Sequence, residues 1–429
     1  MSLVIKGAAL LGEETSDLFV DDTGMLVDSA PSGAETIDAD GLVALPGLVD
    51  LHTHLREPGR EDAEIVLTGS QAAALGGYTA VLAMANTSPV TDTAEAATRV
   101  WELGREAGLV HVQPVGAVTR GLGGEELAEL GLMHRSRAGV TVFSDDGKCV
   151  HDARVMRRAL EYVKAFGGVV SQHSQDPTLA GVAACCHEGE LSGRLGLPGW
   201  PGIAEEVVVA RDVMLARHTG SRVHVAHVST AGSVEVLRWA RAQARSEGHW
   251  AVTAEVTPHH LLLTTDLLAG YDPTFKVNPP LRPQEDVDAL RQALADGTID
   301  AVATDHAPHA RHDKEHAFVD AAFGMLGLET ALAVVRTVME DLSWADIARV
   351  MSVNPARIAG LAHQGRALAP GSPAHVVLVD PDARVTVDRD SSASLSRNNP
   401  WHGRSLASRV VHTVYAGRVT VRDGALAPA

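Results

Sequence analysis

The sequence predicts an α/β protein, a (β/α)8 TIM-like barrel with a small β-sandwich domain built from both chain ends. Three observations carry this expectation. Eight near-continuously apolar runs alternate with amphipathic helical stretches between residues 42 and 308. Several of those runs end in histidine or aspartate. Short strand-like segments flank the region on both sides. Apolar runs without a polar face suit parallel strands buried on both sides, and eight such units suggest closure.

Residues 1–47 read as the first part of the small β-domain, because LVIKGAAL, DLFVDDTGMLV and GLVALPG are apolar segments broken by Gly, Asp and Pro. The barrel is assigned to 48–364. Its strand candidates are Leu42–Asp50, Tyr78–Asn86, Val110–Thr119, Val140–Asp146, Gly168–His173, Arg222–Ser229, Trp250–Pro258 and Ile299–Asp305. Helical patterns lie between most of them, at Ala63–Leu75, Thr93–Ala107, Asp152–Phe166, Glu205–His218, Ala231–Ser246 and Gln284–Ala295. Two more follow the last strand, at Leu326–Leu342 and Ala345–Ala359. About 320 residues exceed the ~250 usual for such a barrel, so the surplus is assigned to loops after the strands. Residues 365–429 return to short strands, with a hairpin over Val411–Val421, and complete the small domain.

Composition narrows the function. A chain of 429 residues with 45% hydrophobic content can bury a large core. Its net charge of −18 argues against a nucleic-acid surface. No apolar run reaches the ~20 residues of a membrane span, and the N-terminus lacks a signal-peptide pattern. Three cysteines, Cys149, Cys185 and Cys186, are too few for a disulfide framework and fit a reducing cytoplasm. Cys185 and Cys186 are placed in a helical stretch as small core residues.

The chemistry gathers at the strand ends, where parallel barrels place their active sites. His52 and His54 follow the first apolar run, and residues i and i+2 of a strand point the same way. The fourth run ends in Ser144-Asp145-Asp146-Gly147, the fifth in His173, the sixth in His227 and the eighth in Asp305. Four histidines and up to three carboxylates exceed one tetrahedral zinc, so two metals are expected. Arg56 points into the same mouth and suits a substrate carboxylate. Asn86 and Asn278 are placed to hold polar substrate atoms, and His309 to reach substrate. His224, three residues before His227, faces the other way. His134, His151, His187 and His218 are given no role, and His259-His260 a packing one. His306, His312 and His316 are placed in a solvated loop.

With these residues the chain resembles the amidohydrolase superfamily and, within it, the bacterial type I dihydroorotases. The likeness runs through Pro46–Gly59 with its His54-Leu55-Arg56-Glu57-Pro58-Gly59, Asn86-Thr87, Phe143–Gly147 and Thr304–His309. It continues in Phe323-Gly324, Gly327-Leu328-Glu329 and Asn354–Arg357. Departures are small: Ala85 and Ala322 stand where the family often has Pro, and Ser174-Gln175-Asp176 follows His173.

The resemblance implies two Zn2+ per chain, one held by His52, His54 and Asp305 and the other by His173 and His227. A carboxylate of the SDDG run would bridge them, Asp146 by family spacing with Asp145 as the alternative. Related hydantoinases and allantoinases bridge their metals with a carboxylated lysine, and no lysine lies in Val140–Asp146. The implied reaction is the reversible cyclisation of N-carbamoyl-L-aspartate to L-dihydroorotate in pyrimidine biosynthesis. Its nucleophile would be a metal-bridging hydroxide, with Asp305 as general acid/base. Arg56, Asn86 and His309 would hold the substrate carboxylate. Asn278 and the backbone at Phe323 and Gly324 would contact the ring. A catalytically dead scaffold should have lost ligands, and all six are present. The resemblance leaves open a homodimer and association with aspartate carbamoyltransferase.

Overall fold

The structure is a computed structural model and describes residues 2–428. Its centre consists of parallel strands, each buried on both faces. They are β1 (Leu48–Thr53), β2 (Tyr78–Ala83), β3 (His111–Pro114), β4 (Val142–Phe143), β5 (Val169–Gln172), β6 (Arg222–Val225), β7 (Ala251–Val256) and β8 (Ala301–Val302). β1, β2 and β3 pair in parallel as one sheet, and β4 to β8 pair in chain order as another. Two isolated parallel bridges, Gly116–Phe143 and Thr53–His306, link these sheets at both edges. Asp50 adds a third tie, accepting from the backbone N–H of Thr304 at 3.0 Å.

Helices between the strands bury apolar stripes against them. Ala153–Lys164 shows the pattern, with Val155, Met156, Ala159, Leu160 and Val163 buried at i, i+3 and i+4 spacing. Asp152 caps its start by accepting from the N–H groups of Arg154 and Val155. Helix ends take glycine where the chain turns left-handed, as at Gly108 and Gly220.

Both chain ends enter one antiparallel and parallel sheet of nine strands. The strand Val376–Thr386 pairs antiparallel with Val43–Pro46, setting Val376 opposite Pro46. Leu3–Leu10 pairs with Glu14–Val20 and, in parallel, with Glu35–Asp38. Ser405–Tyr415 and Arg418–Arg422 form the expected hairpin. Its apolar side collects Leu3, Ile5, Val20, Ile37, Val376 and Leu378 in a core of its own.

The inner strands are shorter than their apolar runs. Only Val142–Phe143 of Val140–Asp146 pairs as strand, because the chain leaves the ladder to aim Ser144-Asp145-Asp146 at the mouth. Cys185 and Cys186 correct the helical assignment. Cys186–His187 is a two-residue strand paired with Gly199–Trp200, in a loop excursion after β5. The helical pattern at Ala345–Ala359 is broken by a π-helical turn over Arg349–Val353.

Candidate active site

The residues at the ends of β1, β4, β5, β6 and β8 meet in one buried cluster. Asp146 Oδ1 lies 3.2 Å from His52 Nε2, 3.3 Å from His173 Nδ1 and 3.4 Å from His227 Nε2. Its second oxygen lies 3.4 Å from His54 Nε2. Asp305 Oδ1 lies 3.0 Å from His54 Nε2 and 3.6 Å from His52 Nε2. Asp145 points elsewhere and accepts from the N–H groups of Val118 and Thr119 and from the Thr119 hydroxyl.

Hydrogen-bond partners assign the imidazole tautomers. Nδ1 of His52 faces Glu255 Oε1 at 2.9 Å, and Nδ1 of His54 faces Asn86 Oδ1 at 2.9 Å. Both partners only accept, so both Nδ1 atoms carry hydrogen. For His173 it is Nε2 that donates, to Gln175 Oε1 at 2.8 Å. In the neutral rings the remaining lone pairs therefore face carboxylate oxygens, and His173 Nδ1 lies 2.9 Å from His227 Nε2. Acceptors crowded against acceptors away from water need a positive charge between them. Burial opposes charging His52, yet the Asp146 and Asp305 carboxylates hold its pKa well above the ordinary value. Burial likewise opposes ionising Asp146, yet His52, His173 and His227 bring it well below the carboxylate range. His52 Nε2 is buried without a hydrogen-bond partner. Ligand atoms of His52, His54 and Asp305 lie within 4.8 Å of one another, as do those of His52, Asp146 and His227. Neutral imidazole nitrogens and carboxylates are the donor set of divalent transition metals, so the residues present fit a metal cofactor.

Local backbone geometry aims these groups. His227, Asp305 and Arg56 all have positive φ, at 32°, 47° and 61°. Left-handed backbone costs a non-glycine residue roughly 1–2 kcal/mol and persists where the surroundings enforce it. It turns the chain sharply at the ends of β6 and β8, so that the side chains face inward.

The polar residues expected around substrate rim this cluster. Arg56 donates through Nε to the Pro308 carbonyl at 2.9 Å, and its Nη2 lies 3.3 Å from His309 Nε2. Burial brings its pKa down to about 10, so the guanidinium stays charged at neutral pH. His309 Nε2 lies 2.6 Å from the Phe323 carbonyl. Asn278 donates through Nδ2 to Gln175, and its Oδ1 is buried without a partner. At Gly324, φ is +136°, and a Cβ would come within 2.7 Å of Ala307 Cβ and 2.9 Å of His309 Nε2, so only glycine fits. A cavity of about 540 Å³ opens beside the cluster, lined by Gly147, Lys148, Gln175, Trp200, Asn278 and Phe323.

Sequence reasoning missed part of the support. Glu255, inside β7, accepts from His52 Nδ1 and from His224 Nε2, each at 2.9 Å. Its burial raises the pKa, but His224 and His52 bring it down to about 2. His224 thus braces the site from behind. A carboxylate inside an otherwise apolar strand run was the available signal. His306 corrects the solvated assignment. It is buried and meets Glu64 Oε2 at 3.4 Å, and its Nδ1 accepts from the Gly327 N–H. His259 is also buried, which lowers its pKa to about 4 and keeps it neutral. Partners of metal-bound histidines are worth about 10–100-fold in metal affinity. Glu255→Gln is therefore expected to weaken divalent-metal binding by about that factor in a chelator competition titration. Unchanged affinity would remove Glu255 from the orientation of His52.

Comparison with known proteins gives the family of the chain. A family model described as "Dihydro-orotase-like" matches residues 41–233, and one for the amidohydrolase family matches 206–420. A dihydroorotase of Streptomyces coelicolor is 58% identical, covering 99% of both chains. A dihydroorotase of Mycobacterium tuberculosis is 56% identical with the same coverage. Among solved structures, an L-hydantoinase (dihydropyrimidinase) from Arthrobacter aurescens superposes with a TM-score of 0.86 at 27% identity. It covers 99% of this chain and 97% of its own. The dihydropyrimidinase from Brevibacillus agri reaches 0.83 at 23% identity, covering 99% and 96%, which speaks for the fold alone. The chain belongs to the amidohydrolase family and, within it, to the dihydroorotases.

Proposed function

We propose that this chain is a zinc-dependent dihydroorotase that interconverts L-dihydroorotate and N-carbamoyl-L-aspartate. The observation that carries the reading is the convergence of four imidazoles on Asp146, with Arg56 at the rim of the same mouth. The closeness of full-length dihydroorotases supports the substrate. His52, His54 and Asp305 would hold one Zn2+, His173 and His227 the second, and Asp146 would bridge. When bound there, the metals supply Lewis acidity and bring the pKa of water towards ~7.

The chain's own residues do the rest. Arg56, Asn86 and His309 hold the substrate's carboxylate, so that one ring amide alone faces the cluster. The unpartnered Oδ1 of Asn278 accepts from a ring N–H. Asp305 takes the proton of the attacking water on Oδ and returns it to the leaving ring nitrogen. Ring closure runs the same transfers backwards. The fold is read as an eight-stranded closed barrel, 48–364, carrying a small domain of residues 1–47 and 365–429. Support comes from the two bridges at the sheet edges and from the strands that both ends contribute to one sheet. Three free cysteines favour a cytoplasmic protein, and no helix among the described residues is long and apolar enough to cross a membrane.

Hydantoinase activity is the competing reading. The absence of a lysine on β4 and the Arg56 anchor weigh against it. Zinc-loaded protein is expected to turn over L-dihydroorotate and to leave hydantoin and allantoin essentially untouched. The opposite preference would overturn the substrate reading. Arg56→Ala removes a charge-assisted contact worth about 1.5–3 kcal/mol, so KM should rise roughly 10–100-fold. An unchanged KM would place the anchor elsewhere. Asp305→Asn keeps a ligand oxygen but cannot carry the proton, and kcat should fall by about 10²–10⁴ at saturating zinc. Full activity would dismiss Asp305 as the acid/base.

A further inference from the structure

The loop 307–324 carries His309, Phe323 and Gly324, yet it holds little regular structure of its own. Its one helix is the four-residue turn Arg311–Lys314. What fixes it comes from far along the chain. Asn398, buried in the C-terminal segment, donates through Nδ2 to the carbonyls of Ala307 at 2.9 Å and Gly324 at 3.1 Å. Its Oδ1 accepts from the His309 N–H at 3.2 Å. Its backbone carbonyl accepts from Leu326 N–H at 3.1 Å. One carboxamide thus stitches the start of the loop to its end.

Two further observations join this. The side-chain ammonium of Lys314 is folded inside the loop and donates to the carbonyls of Ala322 at 2.8 Å, Gly324 at 3.0 Å and Lys276 at 3.3 Å. The Gly324 carbonyl is therefore shared by Asn398 and Lys314. The segment ahead of Asn398 is anchored to the loop after β1, which carries Arg56. Ser396 Oγ donates to the Ala63 carbonyl at 2.7 Å, and Ser394 Oγ donates to Glu64. A strap from outside the β1–β8 region spans the two loops that bear Arg56 and His309.

We propose that Asn398 is a positioning residue for substrate binding, acting with Lys314 to hold His309 and the Phe323-Gly324 backbone at the distance from Arg56 that fits the substrate's carboxylate. This rests on the dihydroorotase reading. Asn398 touches none of the six clustered residues, so its loss should loosen carboxylate binding and leave the cluster intact. Reacting groups misplaced by about 1 Å can cost 10²-fold, so an effect of tenfold or more is within reach.

The test is steady-state kinetics with L-dihydroorotate on zinc-loaded wild type, Asn398→Ala, Lys314→Met and the double variant, with zinc counted in each. Both single variants are expected to raise KM about tenfold or more, with kcat within about threefold and zinc unchanged. Because both act on the Gly324 carbonyl, the double variant should raise KM by less than the product of the two. An unchanged KM in Lys314→Met, or in a folded Asn398→Ala, would overturn the proposal. So would a kcat loss at constant KM, or lost zinc. Should Asn398→Ala fail to fold, Lys314→Met decides alone. A wild type inert towards L-dihydroorotate would instead sink the functional reading, which separates the two failures.

Discussion

The whole molecule is arranged around one buried carboxylate. Asp146 lies 3.2–3.4 Å from nitrogens of four histidines, carried on β1, β5 and β6 or just beyond them. An ionised carboxylate out of water is costly unless positive charge surrounds it. The tautomers set by Glu255, Asn86 and Gln175 leave the neutral His52, His54 and His173 offering lone pairs beside the carboxylates, a donor set that suits divalent cations. Parallel strands that end at one mouth bring residues as distant as 52 and 305 together.

The support extends outward in layers of hydrogen bonds. Glu255 fixes His52 and is itself held by His224, whose other nitrogen meets Thr253 Oγ1 at 2.8 Å. Asp50 ties β1 to the start of the loop after β8 through the Thr304 N–H. Arg282, wholly buried, donates to Ser229 Oγ at 3.0 Å behind the end of β6. Glu205 accepts from the N–H groups of Ser229 and Thr230 in the same place. These ties hold His227 and Asp305 in their left-handed backbone. Side chains fixed by such partners keep their geometry without needing substrate to order them.

Much of this was legible in the sequence, and the remainder has physical reasons. Apolar runs marked all eight strands because burial on both faces leaves no polar alternation to confuse them. Run ends marked the six clustered residues because parallel strands gather the polar groups at their exits into one mouth. The ladder boundaries were not legible, since pairing stops where neighbouring chains diverge and not where hydropathy changes. Val142–Phe143 is the clearest case. Asp145 and Asp146 could not be separated by period, and the contacts of Asp145 with Val118 and Thr119 show that it is the one that turns away. Glu255 and His224 stand out as polar residues inside strand runs, but both faces there are buried, so period does not tell which way they point. Asn398 lies some 90 residues from the loop it holds, and no local pattern announces that contact.

Under the proposed function the cluster would hold two zinc ions, with Asp146 between them. Anomalous diffraction at the zinc absorption edge, on crystals of the zinc-loaded protein, tests it most directly. Two peaks should flank Asp146, one beside His52, His54 and Asp305 and the other beside His173 and His227. A cluster free of zinc, or zinc bound only at other residues, would contradict the account.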